Sequence, residues 1–303
     1  MKESWEKYGY CIMHDFLPET DLHKAMDCLQ KIQFTNTHNF GSHNGFLEFP
    51  TNHYILNDIT LHPKIITTCQ HLLDSTDIRL IQSDFWSKTN DATNTENSNQ
   101  DQRMHMDYPN NYLTYPNDWN SPESVAIIIY YSDSDHCGGQ TRLVPRLGEN
   151  DLLYKEPYDK IAGLGNYPYN NDKTITEEYF KTHHPEVYSF RQQLYEREIT
   201  ANFKPGTVLF YRHDLWHRGT PIKLGQTRIV QNLGFKKAHC DWITCWNKGW
   251  ARKLCDYTNP LERLLQKSSN LQRVCLGIPD NKSNYWNEKK RKAMEIRYNL
   301  SKL

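Results

Sequence analysis

The middle of this 303-residue chain carries strand-like runs separated by loops rather than by helices. Ile78–Lys88 (IRLIQSDFWSK), Ser124–Tyr131 (SVAIIIYY), Gln140–Pro145 (QTRLVP), Thr207–Tyr211 (TVLFY) and Arg228–Phe235 (RIVQNLGF) are such runs, several of them led by β-branched and aromatic residues. A parallel α/β fold would alternate strand and helix through this region, which excludes that class. Helical spacing lies toward the ends instead. Leu22, Ala25, Met26, Leu29 and Ile32 follow one face of Glu19–Ile32, with Pro18 near its first turn. Leu61–Leu73 reads as a second helix, and Gly9–Met13 as a short strand. The pattern predicts a mainly β, α+β fold, a jelly roll with helical flanks. One domain is expected: an N-terminal helical flank (1–77), a core (78–235) and a C-terminal helical extension (236–303).

Arg146–Asn202 interrupts the core and is rich in Tyr, Asn and Pro, without a strand run of core quality. Such an insertion reads as a lid over the barrel mouth, with Tyr154, Tyr158, Tyr167 and Tyr169 shaping a pocket. Thr89–Gln102 reads as a polar surface loop. Trp242, Trp246 and Trp250 recur every four residues as a packing stripe, and the basic stretch Glu288–Tyr298 reads as a solvated helix.

Thirty-six Lys and Arg balance 36 Asp and Glu, which disfavours non-specific nucleic-acid binding. No apolar run approaches the ~18 residues of a membrane span. The N-terminal residues hold no apolar signal segment. The 8 cysteines include no Cys-x-x-Cys pair and read as reduced thiols.

The chemistry starts at His105-Met106-Asp107. A His-x-Asp pair arises about once by chance at this composition, and here it occurs twice, at His105/Asp107 and His239/Asp241. Order separates them. No histidine follows His239, whereas His105 precedes the apolar strands and has His217 on a later strand end. Two imidazoles and one carboxylate on one face of iron(II) leave three positions open, enough for a chelating cosubstrate and dioxygen. His213 and His217 lie four apart, as in a zinc-binding helix, but β-forming residues precede them, so that reading is rejected. Arg228 lies eleven residues beyond His217. A turn at Thr220–Gly225 followed by a strand would return its guanidinium to the metal, where its fork suits the far carboxylate of a five-carbon keto diacid.

His105-x-Asp107, His217 with Arg228, the run Gly138-Gly139-Gln140-Thr141-Arg142-Leu143-Val144-Pro145 and the opening Gly9-Tyr10…Phe16-Leu17-Pro18 together resemble the phytanoyl-CoA dioxygenase family, over about residues 8–235. The chain departs from the family after the Gly-Gly turn, at Pro145-Arg146-Leu147-Gly148. The resemblance implies a double-stranded β-helix, iron(II), and 2-oxoglutarate split to succinate and carbon dioxide as dioxygen oxidises a small-molecule substrate. It also implies cosubstrate contacts from Gln82 and Lys88, which share a strand face with Asp84 and Trp86, and from Thr220, close to where the family often has a small hydroxyl residue. Trp86, Tyr108, Trp119 and Arg142 are the candidates for a substrate pocket.

Hydroxylation of a small organic or acyl-type substrate is the expected outcome. The rivals are a jelly-roll module that binds metal without turnover and a hydroxylase of peptide side chains. A halogenase on this fold would lack the carboxylate ligand, so Asp107 argues against it. The final Ser301-Lys302-Leu303 would direct the chain to peroxisomes in a eukaryote that has them, and a cytoplasmic location is expected otherwise.

Overall fold

The computed structural model describes residues 1–32, 34, 45–90, 101–243, 260–275 and 278–300. Trp246, Trp250 and Ser301–Leu303 lie outside the described residues. Among the described residues, nine strands form two antiparallel sheets. They are β1 (Tyr10–Met13), β2 (Gly45–Glu48), β3 (Ile78–Thr89), β4 (Ser124–Tyr130), β5 (Thr141–Leu143), β6 (Ile199–Ala201), β7 (Val208–Tyr211), β8 (His217–Gly219) and β9 (Thr227–Lys237). The large sheet runs β1-β7-β4-β9-β3-β2 and the small one β6-β5-β8. This is the expected jelly-roll core with helical flanks.

Side-chain alternation divides the large sheet into two faces. Val125, Ile127, Ile129, Val208, Phe210, Leu233 and Phe235 point outward. They pack under the helices Lys2–Tyr8, Glu19–Lys31, Tyr54–Thr60 and Pro63–Leu73, whose apolar faces supply Trp5, Leu22, Leu29, Ile59, Ile65 and Leu72. Ala126, Tyr130, Leu209, Tyr211 and Val230 point inward toward Leu143 and Val144 at the small sheet. Gln82, Asp84, Trp86 and Lys88 follow this inner face, opposite Gly234, Asn232, Val230 and Arg228 of β9.

Three expectations need correction. Arg146–Asn202 is built from the helices Leu152–Lys155, Lys173–His183 and Pro185–Arg197 and ends in a core strand, β6, which pairs with β5. β6 is only three residues long, too short for alternation to register. The helix Glu288–Tyr298 is docked rather than solvated: Lys290, Ala293, Met294, Arg297 and Tyr298 form its buried stripe. Backbone carbonyls satisfy the buried cations, with Lys290 donating to Tyr285 and Arg297 to Pro109 and Thr114. Lastly, Tyr154 and Tyr158 are core residues, so they do not line an open pocket.

Candidate metal centre

Residues 102–105 run antiparallel to β8, Gln102 N–H donating to the Gly219 carbonyl. His105 and His217 exchange both main-chain hydrogen bonds, each 2.9 Å, which brings their rings to 4.4 Å between centroids. Asp107 follows two residues on, in the turn that opens the short helix Tyr108–Asn111, with its carboxylate beside both rings. Its N–H is held by the His213 carbonyl at 2.9 Å.

Each imidazole is oriented by its own main chain. Nδ1 of His105 lies 3.0 Å from the Arg103 carbonyl, and Nδ1 of His217 lies 3.0 Å from the Leu215 carbonyl. A carbonyl only accepts, so Nδ1 carries a hydrogen in both rings and Nε2 is the atom each ring turns toward a metal. Both Nε2 atoms face Asp107. His105 Nε2 is 3.7 Å from Oδ1, and His217 Nε2 is 3.2 Å from Oδ2. One ligand atom from each residue lies within 4.8 Å of the other two. The carbonyl-oriented imidazole is the outer arrangement that a metal-binding histidine needs.

Burial opposes the charge on all three residues. It lowers the His105 pKa to about 3, helped by His217 and Arg103. In Asp107 and His217 their mutual attraction outweighs burial, so the carboxyl sits well below its usual range and the imidazole above its own. A proton between these two groups occupies the place a cation would take, so metal uptake releases it.

His213 is not part of the cluster. Its Nδ1 bonds Ser124 Oγ at 2.7 Å, which in turn bonds the Tyr112 hydroxyl at 2.7 Å. Its carbonyl receives the N–H groups of Asp107 and Tyr108. Sequence reasoning missed Tyr211, whose hydroxyl donates to Asp107 Oδ2 at 2.7 Å. Only the inward phase of β7 hints at it.

A second polar feature lies on the same inner face. Lys88 and Arg228 are cross-strand partners, 2% and 9% exposed. Burial and the Arg228 charge lower the Lys88 pKa to about 7. Burial also lowers that of Arg228. Among the described residues neither cation forms an ion pair. Arg228 Nη1 donates to the Gly139 carbonyl at 2.5 Å. A Cβ on Gly139 would meet Ile222 and, at 3.2 Å, Arg228 Cδ, while its φ of +70° suits glycine. The Gly138-Gly139 turn therefore makes room for the Arg228 stem.

The other predicted site residues divide. Trp86 stays on the inner face, half-buried, two residues from Lys88 and across from Val230. Gln82 lies six residues from Lys88, roughly 20 Å along a strand, and donates to Asp84 at 3.1 Å. It does not join the cation pair. Thr220 closes the β8 turn instead, its hydroxyl donating to the Gln140 carbonyl at 2.9 Å. Tyr108 is 1% exposed, packed edge-on to Tyr115, and has no surface to offer a substrate. The guanidinium groups of Arg146 and Arg212 both lie against the Trp119 ring, and its indole donates to the Glu6 carbonyl. Arg142 falls on the opposite face of β5 from Thr141 and Leu143, bonded to Thr200 and beside Glu198. One residue of strand phase removes it from the barrel interior.

The insertion holds the ligand-bearing segments from outside. Arg191, 0% exposed, donates to the Met104 carbonyl and to Glu177. The Tyr195 hydroxyl receives the Met104 N–H at 3.0 Å and donates to Glu177. Next to His217, the Trp216 indole donates to the Leu153 carbonyl at 2.9 Å.

A jelly-roll barrel in which two imidazoles and one carboxylate converge defines a class: cupin-like, double-stranded β-helix proteins with a candidate metal centre. The sequence profile described as phytanoyl-CoA dioxygenase (PhyH) matches residues 5–230. The chain belongs to that family. No curated protein matches it significantly. Among solved structures it is similar to the epimerase SnoN in complex with Fe3+, α-ketoglutarate and nogalamycin RO. That likeness has 12% identity, covers 78% of this chain and 82% of the other, and has a TM-score of 0.52. HygX from Streptomyces hygroscopicus with nickel, 2-oxoglutarate and hygromycin B is similar at 12% identity, over 79% and 88%, with a TM-score of 0.51. The carbocyclase SnoK from nogalamycin biosynthesis is similar at 12% identity, over 78% and 83%, with a TM-score of 0.50. At these identities the likeness shows the shared fold.

Proposed function

We propose that this protein is an iron(II)- and 2-oxoglutarate-dependent oxygenase whose metal is held by His105, Asp107 and His217. The convergence of two Nε2 atoms and one carboxylate, with both tautomers fixed by main-chain carbonyls, carries the proposal. The donor set fits iron(II), since imidazole and carboxylate suit it and three protein ligands leave positions open. When bound, iron with 2-oxoglutarate and dioxygen supplies oxidation of a substrate C–H bond as the keto acid becomes succinate and carbon dioxide.

The chain contributes binding, orientation and exclusion of water. Lys88 and Arg228 take the distal carboxylate of 2-oxoglutarate. Burying an unpaired cation costs several kcal/mol, roughly, and a carboxylate between the two offsets that cost. Arg228 keeps Nε without a partner among the described residues, available to the anion. Trp86, Tyr130 and Val230 wall the same interior with apolar surface, which strengthens charge interactions by keeping water out.

Hydroxylation of a small organic or acyl-type molecule is the outcome proposed. The family's name supports an acyl-type substrate, while two structural neighbours, an epimerase and a carbocyclase, support other oxidative outcomes on one fold. The test is succinate release from 2-oxoglutarate with iron(II) and air, screened across metabolite pools. Release above background with one pool supports an oxygenase. Bound iron with no succinate under any condition would favour a non-catalytic metal-binding module.

A further inference from the structure

We infer that Tyr211 is a positioning residue of the metal centre: its hydroxyl fixes the rotation of the Asp107 carboxylate and so decides which oxygen faces His105 and which faces His217. The inference rests on the metal centre proposed above. It comes from an asymmetry among the three ligands. His105 and His217 are oriented by main-chain carbonyls, which no substitution deletes. Asp107 is oriented by a side chain. Among the described residues, the Tyr211 hydroxyl and the His217 ring are the groups that hydrogen-bond its carboxylate, and only Tyr211 is not itself a ligand.

Tyr211 is built for that position. It ends β7, between Tyr10 of β1 and Ala126 of β4, so two hydrogen-bonded neighbours fix its backbone. Alternation along β7 sends Leu209 and Tyr211 inward and Val208 and Phe210 outward. Ala126 is the smallest inner residue of β4, leaving space beside the phenol ring. The ring edge packs on His217, with centroids 5.0 Å apart at 64°. One side chain thus touches ligands from two separate segments, residues 102–107 and β8. A carboxylate held by such a donor presents one oxygen in one orientation. Without the donor it turns about its terminal bond and can present either oxygen or both, which changes the ligand field and competes for open positions.

The experiment is titration of Co(II) into the metal-free full-length chain, read as affinity and as the visible spectrum at saturation. The saturated spectrum reports the loaded site, so a general loss of stability does not move it. Tyr211→Phe keeps the ring and removes the donor. Tyr211→Met, which removes the donor and the ring but keeps an apolar side chain, serves if the Phe variant does not fold. We expect Co(II) to bind about 10-fold or more weakly, with shifted band positions or intensities at saturation. Tyr112→Phe, which removes a buried hydroxyl bonded to Ser124 and not to Asp107, should keep the wild-type spectrum. Unchanged affinity and spectrum in the Tyr211 variants would overturn the inference and leave the metal centre standing. The same spectral change in Tyr112→Phe would overturn it too, by tracing the effect to packing. A wild-type chain that takes up no Co(II) removes the metal centre itself.

Discussion

Lys88 and Arg228 face each other across β3 and β9 with both cations buried, and among the described residues no carboxylate is paired to either. Two like charges held out of water are unfavourable unless a ligand completes the site. The pair is a destabilising feature of the free protein, and under the proposed function it is the receptor for the distal carboxylate of 2-oxoglutarate.

The Lys88 pKa of about 7 gives this arrangement a pH signature. Only protonated Lys88 attracts an anion, and a bound anion raises its pKa. Affinity for 2-oxoglutarate, with Mn(II) in the metal site, should therefore be full below about pH 7 and fall above it. Lys88→Arg should flatten this dependence. Calorimetric titration between pH 6 and 9 checks it, and a flat wild-type profile would contradict it.

The same shift has a stability consequence of opposite sense. Lys88 sits below its unfolded value of 10.5, so the unfolded chain binds more protons between about 7 and 10.5, and stability rises with pH across that window. Lys88→Met should raise the melting temperature at pH 6, and the gain should shrink as pH climbs from 7 toward 10. An unchanged or lower melting temperature at pH 6 would mean that Lys88 has a counterion in the free protein.

Arg228→Lys keeps a charge but loses the planar fork. Affinity for 2-oxoglutarate should fall by about 10- to 100-fold, the range of one or two charge-assisted hydrogen bonds. Metal affinity should stay within about twofold, since no ligand is touched. Equal losses of both in paired titrations would mean that Arg228 supports the metal segment instead.

Strands with eight or more residues and clean alternation were legible from sequence. β3 and β9 matched to within two residues, and the phase that put Gln82, Asp84, Trp86 and Lys88 on one face was correct. β8 carries only His217, Arg218 and Gly219, so its strand character comes from pairing with β5 and His105, not from composition. The Glu288–Tyr298 helix misled because its buried stripe includes Lys290 and Arg297, whose charges meet carbonyls supplied by distant segments. Arg142 was misplaced by one residue of phase on a three-residue strand. Tyr211 drew no notice because its role exists only where β7 passes Asp107. The insertion read as a lid, yet its helices bond to Met104 and Trp216 beside the ligands.

That last contact changes what breaking the insertion should do. Arg191→Met leaves Glu177 as a buried, unpaired carboxylate and frees the Met104 carbonyl. Loss of one partner of a buried ion pair costs about 3–5 kcal/mol. The melting temperature should fall sharply, and metal affinity should fall with it because residue 104 adjoins His105. Full metal affinity in a folded Arg191→Met variant would show that the insertion does not brace the ligand segment.

In the proposed metal site His217, and not His213, completes the ligand set with His105 and Asp107. This assignment is tested most directly by anaerobic addition of iron(II) and 2-oxoglutarate, following the visible charge-transfer band of the iron-chelated keto acid. Wild-type protein should develop the band, His217→Ala should lose it, and His213→Gln should retain it. A band that survives in His217→Ala and disappears in His213→Gln would contradict the assignment.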